Sequence, residues 1–157
     1  MTDTVDTATR SRMMAGIRSM NTKPELLLRK ALHAKGFRFR LHRKDLPGRP
    51  DIVLPLYKAV CFVHGCFWHQ HKGCRMASTP ATRTEFWQAK FAANITRDER
   101  NRHALLAAGW RVAVVWECAI RQSLPVATEQ LTNWLRHGDD LHCEIEGGFS
   151  SVTKMKG

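Results

Sequence analysis

Acidic residues are scarce in this chain. Fourteen aspartates and glutamates stand against 25 lysines and arginines, leaving a formal net charge of +11. That balance argues against a cationic substrate and for a polyanionic partner, because Lys and Arg beside phosphates release condensed counterions. Nucleic acid is the first candidate. Also lacking is any apolar run near the ~20 residues that span a bilayer, or a secretory or basic amphipathic terminus. No membrane partner is therefore expected, and the cytoplasm is the expected compartment. A disulfide framework is missing too, since five cysteines cannot all pair and Cys66, Cys74 and Cys118 lie among other metal-ligating side chains. There is no internal repeat and no low-complexity segment. What remains, 157 residues of which 43% are hydrophobic, suits one domain with a sizeable core.

The stretch from Cys66 to Cys74 reads C-F-W-H-Q-H-K-G-C, two cysteines, two histidines and lysine, glutamine and glycine around two large aromatics. Thiolate and imidazole are the ligands of structural zinc, and Cys66, His71 and Cys74 are spaced for one short loop to wrap an ion. Four protein ligands would leave no open position for water, which speaks against a catalytic zinc. The H-x-E and P-C-x-x-C signature of zinc nucleobase deaminases is absent. Phe67, Trp68 and His69 are then left over, and a metal-pinned loop is expected to hold the two aromatics outward for contact.

The order of elements supplies a fourth ligand. Thr22 to Glu25 forms a capping box before Leu26, Leu27, Leu28, Ala31 and Leu32, and Gly36 ends that helix. Phe37, Phe39 and Leu41 alternate with Arg38, Arg40 and His42, the period of a half-buried strand. Ile52–Leu54 and Ala59–Val63 read as a hairpin around Pro55 to Lys58. In that register Asp51 lies opposite Phe62, with His64 diagonal to it. Thr82 to Glu85 repeats the capping pattern before a long helix to Ala108, and Trp110 to Trp116 follows as a strand. A strand, helix, strand unit makes that strand parallel to residues 59–63, so both end at one edge of the sheet. Cys118, two residues past Trp116, then falls beside the metal loop. A last helix from about Val126 to His137 closes the pattern, with Cys61 read as a buried thiol and Cys143 given no role.

Asp51, behind Pro50 at the mouth of a strand, can hold a hard cation such as Mg²⁺, and the backbone carbonyl of Val63 is a candidate second oxygen. His64 and His69 add a base for an attacking water, so phosphodiester hydrolysis has its parts. Glu25 is already explained by the capping box. Trp87, Lys90 or Phe91, Asn94 and Asp98 form one stripe of the long helix, either core-facing or in contact with ligand. Aromatic wedges between base steps unstack and kink DNA.

Read together, A-T-R-S, L-P-G-R-P-D, H-G-C-F-W-H, P-A-T-R-T-E-F-W and G-W-R-V-A-V-V-W-E-C resemble the very-short-patch repair endonucleases, the Vsr family. The resemblance runs from about Ala8 to Cys118. It implies an α/β fold, a single domain like the type II restriction endonucleases with a mixed central sheet flanked by helices and a structural zinc site. It also implies a monomeric enzyme that nicks double-stranded DNA 5′ to the thymine of T·G mismatches left by 5-methylcytosine deamination. Carried onto this chain, Asp51 and the Val63 carbonyl would bind catalytic Mg²⁺ and His69 would be the general base. His64, supported by Asp98, would act at the scissile phosphate, and Glu25 would orient solvent or His69. Cys66, His71, Cys74 and Cys118 would hold Zn²⁺, while Phe67, Trp68 and Trp87 would insert beside the mismatch. Residues 1–23 would be a basic arm, 24–138 the endonuclease domain and 139–157 a polar tail. Val63 stands where the family carries threonine, although only its backbone is invoked. Gly73 is an extra residue before Cys74. Two rival readings are a zinc-stabilised DNA-binding module without catalysis and a nuclease of this fold with relaxed specificity.

Overall fold

A computed structural model describes residues 21–147. Helix α1 (Lys23–Ala34) starts where Thr22 Oγ1 accepts the Glu25 N–H, as the capping box predicts. Gly36 ends it at φ 94°, the left-handed conformation glycine tolerates best. The strands are β1 (Arg40–Leu41), β2 (Ile52–Leu54), β3 (Ala59–His64), β4 (Arg111–Trp116) and β5 (His142–Ile145). They lie in the sheet in that order, antiparallel from β1 to β3 and parallel from β3 to β5.

The hairpin register is the one derived above, with Ile52 opposite Cys61 and Leu54 opposite Ala59. Pro55–Tyr57 turns the chain and Lys58 closes the turn in the left-handed region. β3 and β4 end together, His64 pairing with Trp116. Both strand ends therefore deliver side chains to one edge.

The sheet is covered on both faces. Ile52, Leu54, Cys61, Ala113, Val115 and Ile145 pack under α1, α3 (Glu117–Gln122) and α4 (Leu124–His137), through Leu28, Leu32, Ile120, Leu131 and Leu135. Val53, Val60 and Val112 pack on the other face under Leu105 of α2 (Thr84–Ala107). Each such fully buried aliphatic side chain contributes about 1.5–3 kcal/mol, so the layers fix the sheet edge firmly. The fold is thus a single α/β domain with a mixed five-stranded sheet between helices, as expected. Cys61 is fully buried in it, and burial raises its thiol pKa well above the ordinary value.

Four details differ from the sequence reading. The alternation at residues 37–41 yields only two residues of strand, because Phe37 is drawn under α1 and meets Tyr57 instead. The second capping box does not cap: Arg83 in the left-handed region precedes α2 with no side-chain cap, and Thr84 Oγ1 donates back to Pro80 and Ala81 carbonyls. An unexpected short helix, α3, follows β4 directly. The segment read as polar tail contributes β5, whose Cys143 pairs with Ala113 and packs into the core. Most of the basic arm, residues 1–20, and the end of the tail lie outside the described residues. Among those described, no helix is long and apolar enough to cross a membrane.

Candidate active site

Past His64 the chain coils tightly. His69 N–H donates to the Gly65 carbonyl, His71 N–H to Cys66 and Cys74 N–H to His71, while Gln70 and Gly73 take positive φ. Gly73, at φ 73° with open space where a Cβ would stand, lets the loop absorb its extra residue. The loop lies against Cys118 in the first turn of α3, so that one ligand atom from each of Cys66, His71, Cys74 and Cys118 falls within 4.8 Å of the others. His71 Nδ1 is 3.7 Å from Cys66 Sγ and 3.5 Å from Cys118 Sγ. Zinc bonds of about 2.3 Å to sulfur and 2.0–2.1 Å to nitrogen give a tetrahedral N to S edge of ~3.6 Å. The donor set fits zinc. Burial raises the Cys66 and Cys118 thiols above their ordinary range, a cost that a bound cation offsets by favouring thiolate.

β5 completes this cluster from behind. His71 Nε2 lies 2.7 Å from Glu146 Oε1, and the carboxylate accepts, which leaves Nδ1 to face the sulfurs. Trp116 stacks on the His71 ring at 4.0 Å and 9°, and its Nε1–H donates to Glu144. Neither glutamate carried any signal in the sequence, because both sit in a stretch with no motif.

Beside the loop are two more clusters. His64 is buried at the end of β3 and stacks on His69, with ring centroids 3.8 Å apart and planes 2° from parallel. Burial, reinforced by His69 and His71, lowers the His64 pKa well below its ordinary value, so the ring is neutral. Asp98 on α2 accepts from His69 Nδ1 at 2.6 Å, aiming Nε2 elsewhere. This corrects the expectation that Asp98 supports His64. The helix stripe places the carboxylate one ring further out, on the loop histidine.

Glu25, His42 and Asp51 form the other cluster. Asp51 Oδ2 accepts the Val63 N–H at 2.7 Å, so the carboxylate is clipped to β3 at the residue whose carbonyl was singled out. Its pKa is raised to about 7, first by burial and further by the Glu25 charge, against the Val63 bond that lowers it. Glu25 is only 2% exposed and accepts from Asn21 N–H at 2.9 Å, while His42 Nε2 lies 2.6 Å from its other oxygen. Its imidazole partner is thus His42 rather than His69, since α1 opens toward the β1 side of the site. His42 was visible beforehand only as the polar phase of an alternating run.

The aromatics behave differently from the expectation. Trp68 is 8% exposed, and Phe67 packs edge-on to Phe91 at 5.2 Å and Trp87 at 5.8 Å. Asn94 Nδ2 donates to the Trp68 carbonyl at 3.0 Å. The rings close on α2 instead of projecting outward, because the stripe of Trp87, Phe91 and Asn94 offers them an apolar partner with edge-to-face geometry.

The Glu25–His42–Asp51 and His64–His69–Asp98 clusters open into one cleft of roughly 2090 Å³, which His71 of the cysteine cluster also lines and whose rim carries exposed Lys44, Arg49, Lys72, Arg97 and Arg100. That is larger than the ~300–1,000 Å³ of small-molecule pockets, and a polyanionic macromolecule suits it better. The comparisons agree with this chemistry. The family described as DNA mismatch endonuclease Vsr matches residues 2–75. A type II nicking enzyme, V.XorIIP of Xanthomonas oryzae pv. oryzae, is 54% identical over 120 residues, 76% of this chain and 88% of that protein. The DNA mismatch endonuclease Vsr of Escherichia coli is 46% identical over 135 residues, 86% of each chain. V.NmeAIP of Neisseria meningitidis, also a type II nicking enzyme, is 43% identical over 140 residues, 89% of this chain and 99% of that protein. Relatedness of this extent, on the fold and clusters just described, makes the chain a member of the Vsr family of DNA mismatch endonucleases.

Proposed function

We propose that this protein nicks duplex DNA 5′ to the thymine of T·G mismatches, such as deaminated 5-methylcytosine leaves, by Mg²⁺-dependent hydrolysis. The observation that carries the reading is the Asp51 carboxylate clipped to β3 at Val63, with the His64 and His69 pair at the same strand end. Asp51 and the Val63 carbonyl would hold Mg²⁺, both hard oxygen donors that suit it. When bound, the ion neutralises phosphate charge and activates water. His69, its Nδ1 proton engaged by Asp98, presents Nε2 as the base, and neutral His64 lies against the same ring to contact the scissile phosphate. Phe67, Trp68 and Trp87 would leave their mutual packing to enter the stack beside the mismatch, at about a few kcal/mol of unstacking cost. The basic arm of residues 1–23 would clasp the duplex from the other side, and the protein would act as a cytoplasmic monomer.

A nicking assay with a T·G duplex and its T·A control tests this. We expect a single cut 5′ to the mismatched thymine that requires Mg²⁺, with the control spared. Binding without cleavage by any divalent ion would turn the reading to a DNA-binding module, and equal cutting of other mismatches to a relaxed nuclease.

In the same reading Cys66, His71, Cys74 and Cys118 hold structural Zn²⁺, with Glu146 fixing the His71 tautomer. Glu146→Ala should therefore release zinc to a chelator about 10–100-fold faster than wild type. Glu144→Ala, which loses only the bond from Trp116, should stay near the wild-type rate.

A further inference from the structure

The cation site carries a nitrogen donor that the reading above leaves unused. His42 follows β1 in the left-handed region at φ 46°, where a non-glycine residue is held only by its surroundings. Its N–H reaches the Asp51 carbonyl at 3.4 Å. That conformation brings Nε2 to 2.6 Å from Glu25 Oε2 and 3.8 Å from Asp51 Oδ1. One atom from each of the three residues lies within 4.8 Å of the others. A cation about 2.2 Å from each donor would set them at neighbouring corners roughly 3 Å apart or opposite corners roughly 4.4 Å apart; the 3.8 Å between His42 and Asp51 falls inside that range, and the 2.6 Å His42–Glu25 hydrogen bond would open by a few tenths of an ångström as the ion displaces its proton. The site is also built into the protein. Glu25 is buried and anchored by the Asn21 N–H, and Asp51 is anchored by Val63.

We infer that His42 is a ligand of the catalytic cation, together with Asp51 and Glu25, and that the Mg²⁺ site consequently also takes Mn²⁺, holding it more tightly than its oxygen donors alone would. The inference rests on the proposed cation site at Asp51. Imidazole nitrogen suits later first-row metals, whereas Mg²⁺ prefers oxygen and retains its waters. Without His42 the remaining donors are all oxygen, and manganese should be held less tightly. Zinc at the cysteine cluster is a separate matter, since those thiols are not part of this set.

The test uses zinc-loaded full-length protein and Mn²⁺ as probe, with binding measured calorimetrically and the ligand nitrogen read by electron spin echo spectroscopy. The wild type should bind Mn²⁺ with a directly coupled imidazole nitrogen, and His42→Gln should lose that coupling. The variant should bind Mn²⁺ about tenfold or more weakly and Mg²⁺ within about threefold of wild type. His42→Asn, with far-ultraviolet circular dichroism and melting on both variants, checks that the fold survives in at least one. Mn²⁺ bound in an Asp51-dependent way but with no nitrogen coupling, or with coupling that persists in both variants, overturns the role of His42 alone. Absence of any Asp51-dependent divalent binding overturns it together with the proposed cation site.

Discussion

Asp51→Ala will lose strand cleavage by about a thousandfold or more, on the order of 4 kcal/mol of transition-state stabilisation, while zinc content and duplex binding persist. The substitution also leaves the Val63 N–H without its acceptor, which costs about 1–3 kcal/mol of stability where the group is shielded from water. Asp51→Asn separates the two effects, since the amide oxygen still accepts that N–H but cannot carry the charge a hard cation needs. The carboxyl also predicts a pH dependence. Burial raises its pKa from 3.8 to about 7 in the metal-free protein. The cost of ionising it in the fold is therefore absent below 3.8, grows as pH rises and is complete above about 7. Metal-free wild type should accordingly lose stability relative to Asp51→Asn across that window. Cation binding demands the anion, so affinity should fall about tenfold per unit as pH drops below about 7. An affinity unchanged from about pH 5 to about pH 8, or an Asp51→Ala protein that nicks at the wild-type rate, would remove Asp51 from the cation site.

How far such a site can be read without coordinates depends on how local its cause is. The hairpin register followed from one turn, Pro55 to Lys58, because strand pairing is fixed once the turn is fixed, and Asp51 came with it. Parallel pairing of β3 and β4 followed from the connecting helix, which put Cys118 at the edge shared with Cys66. Three things did not follow. Glu144 on β5 and Glu146 just past its end reach Trp116 and His71, and a strand of four residues has an alternation too short and too polar to stand out. His42 depends on a left-handed residue, and nothing in the neighbouring letters marks that backbone. The choice between His64 and His69 for Asp98 turns on which imidazole of a stacked pair lies nearer α2, a matter of a single ring thickness. The outward aromatics failed for a related reason. A metal can pin a loop, but where its side chains go depends on the helix that the loop happens to meet.

Cys118→Ser should bind zinc with far lower affinity, losing the ion to a mild chelator, and unfold at a lower temperature. The argument is one of substitution chemistry. Cys118 Sγ has two kinds of contact, the metal-ligand group with Cys66, His71 and Cys74 and the Gly147 N–H it accepts at 3.3 Å. Serine keeps an acceptor for Gly147 but is a poor zinc ligand, so the loss isolates the metal. Binding energy at a structural zinc is folding energy. A loss of about 3 kcal/mol would lower Tm by roughly 6–12 °C for a chain of this size. Cys143→Ser is the matched control. Its residue lies on β5, just before Glu146, but it packs into the core on the opposite face of the sheet from Trp116, so the exchange should cost only about 1 kcal/mol and leave zinc in place. Full zinc retention in Cys118→Ser, with loss in Cys143→Ser, would show that the shared end of β3 and β4 does not supply the fourth ligand. The two outcomes are read by metal analysis and a melting curve on the same samples, so a general loss of folding cannot be mistaken for loss of a ligand: a destabilised protein that still coordinates zinc holds its stoichiometry below the transition, whereas one missing a ligand loses it at temperatures where the fold is intact.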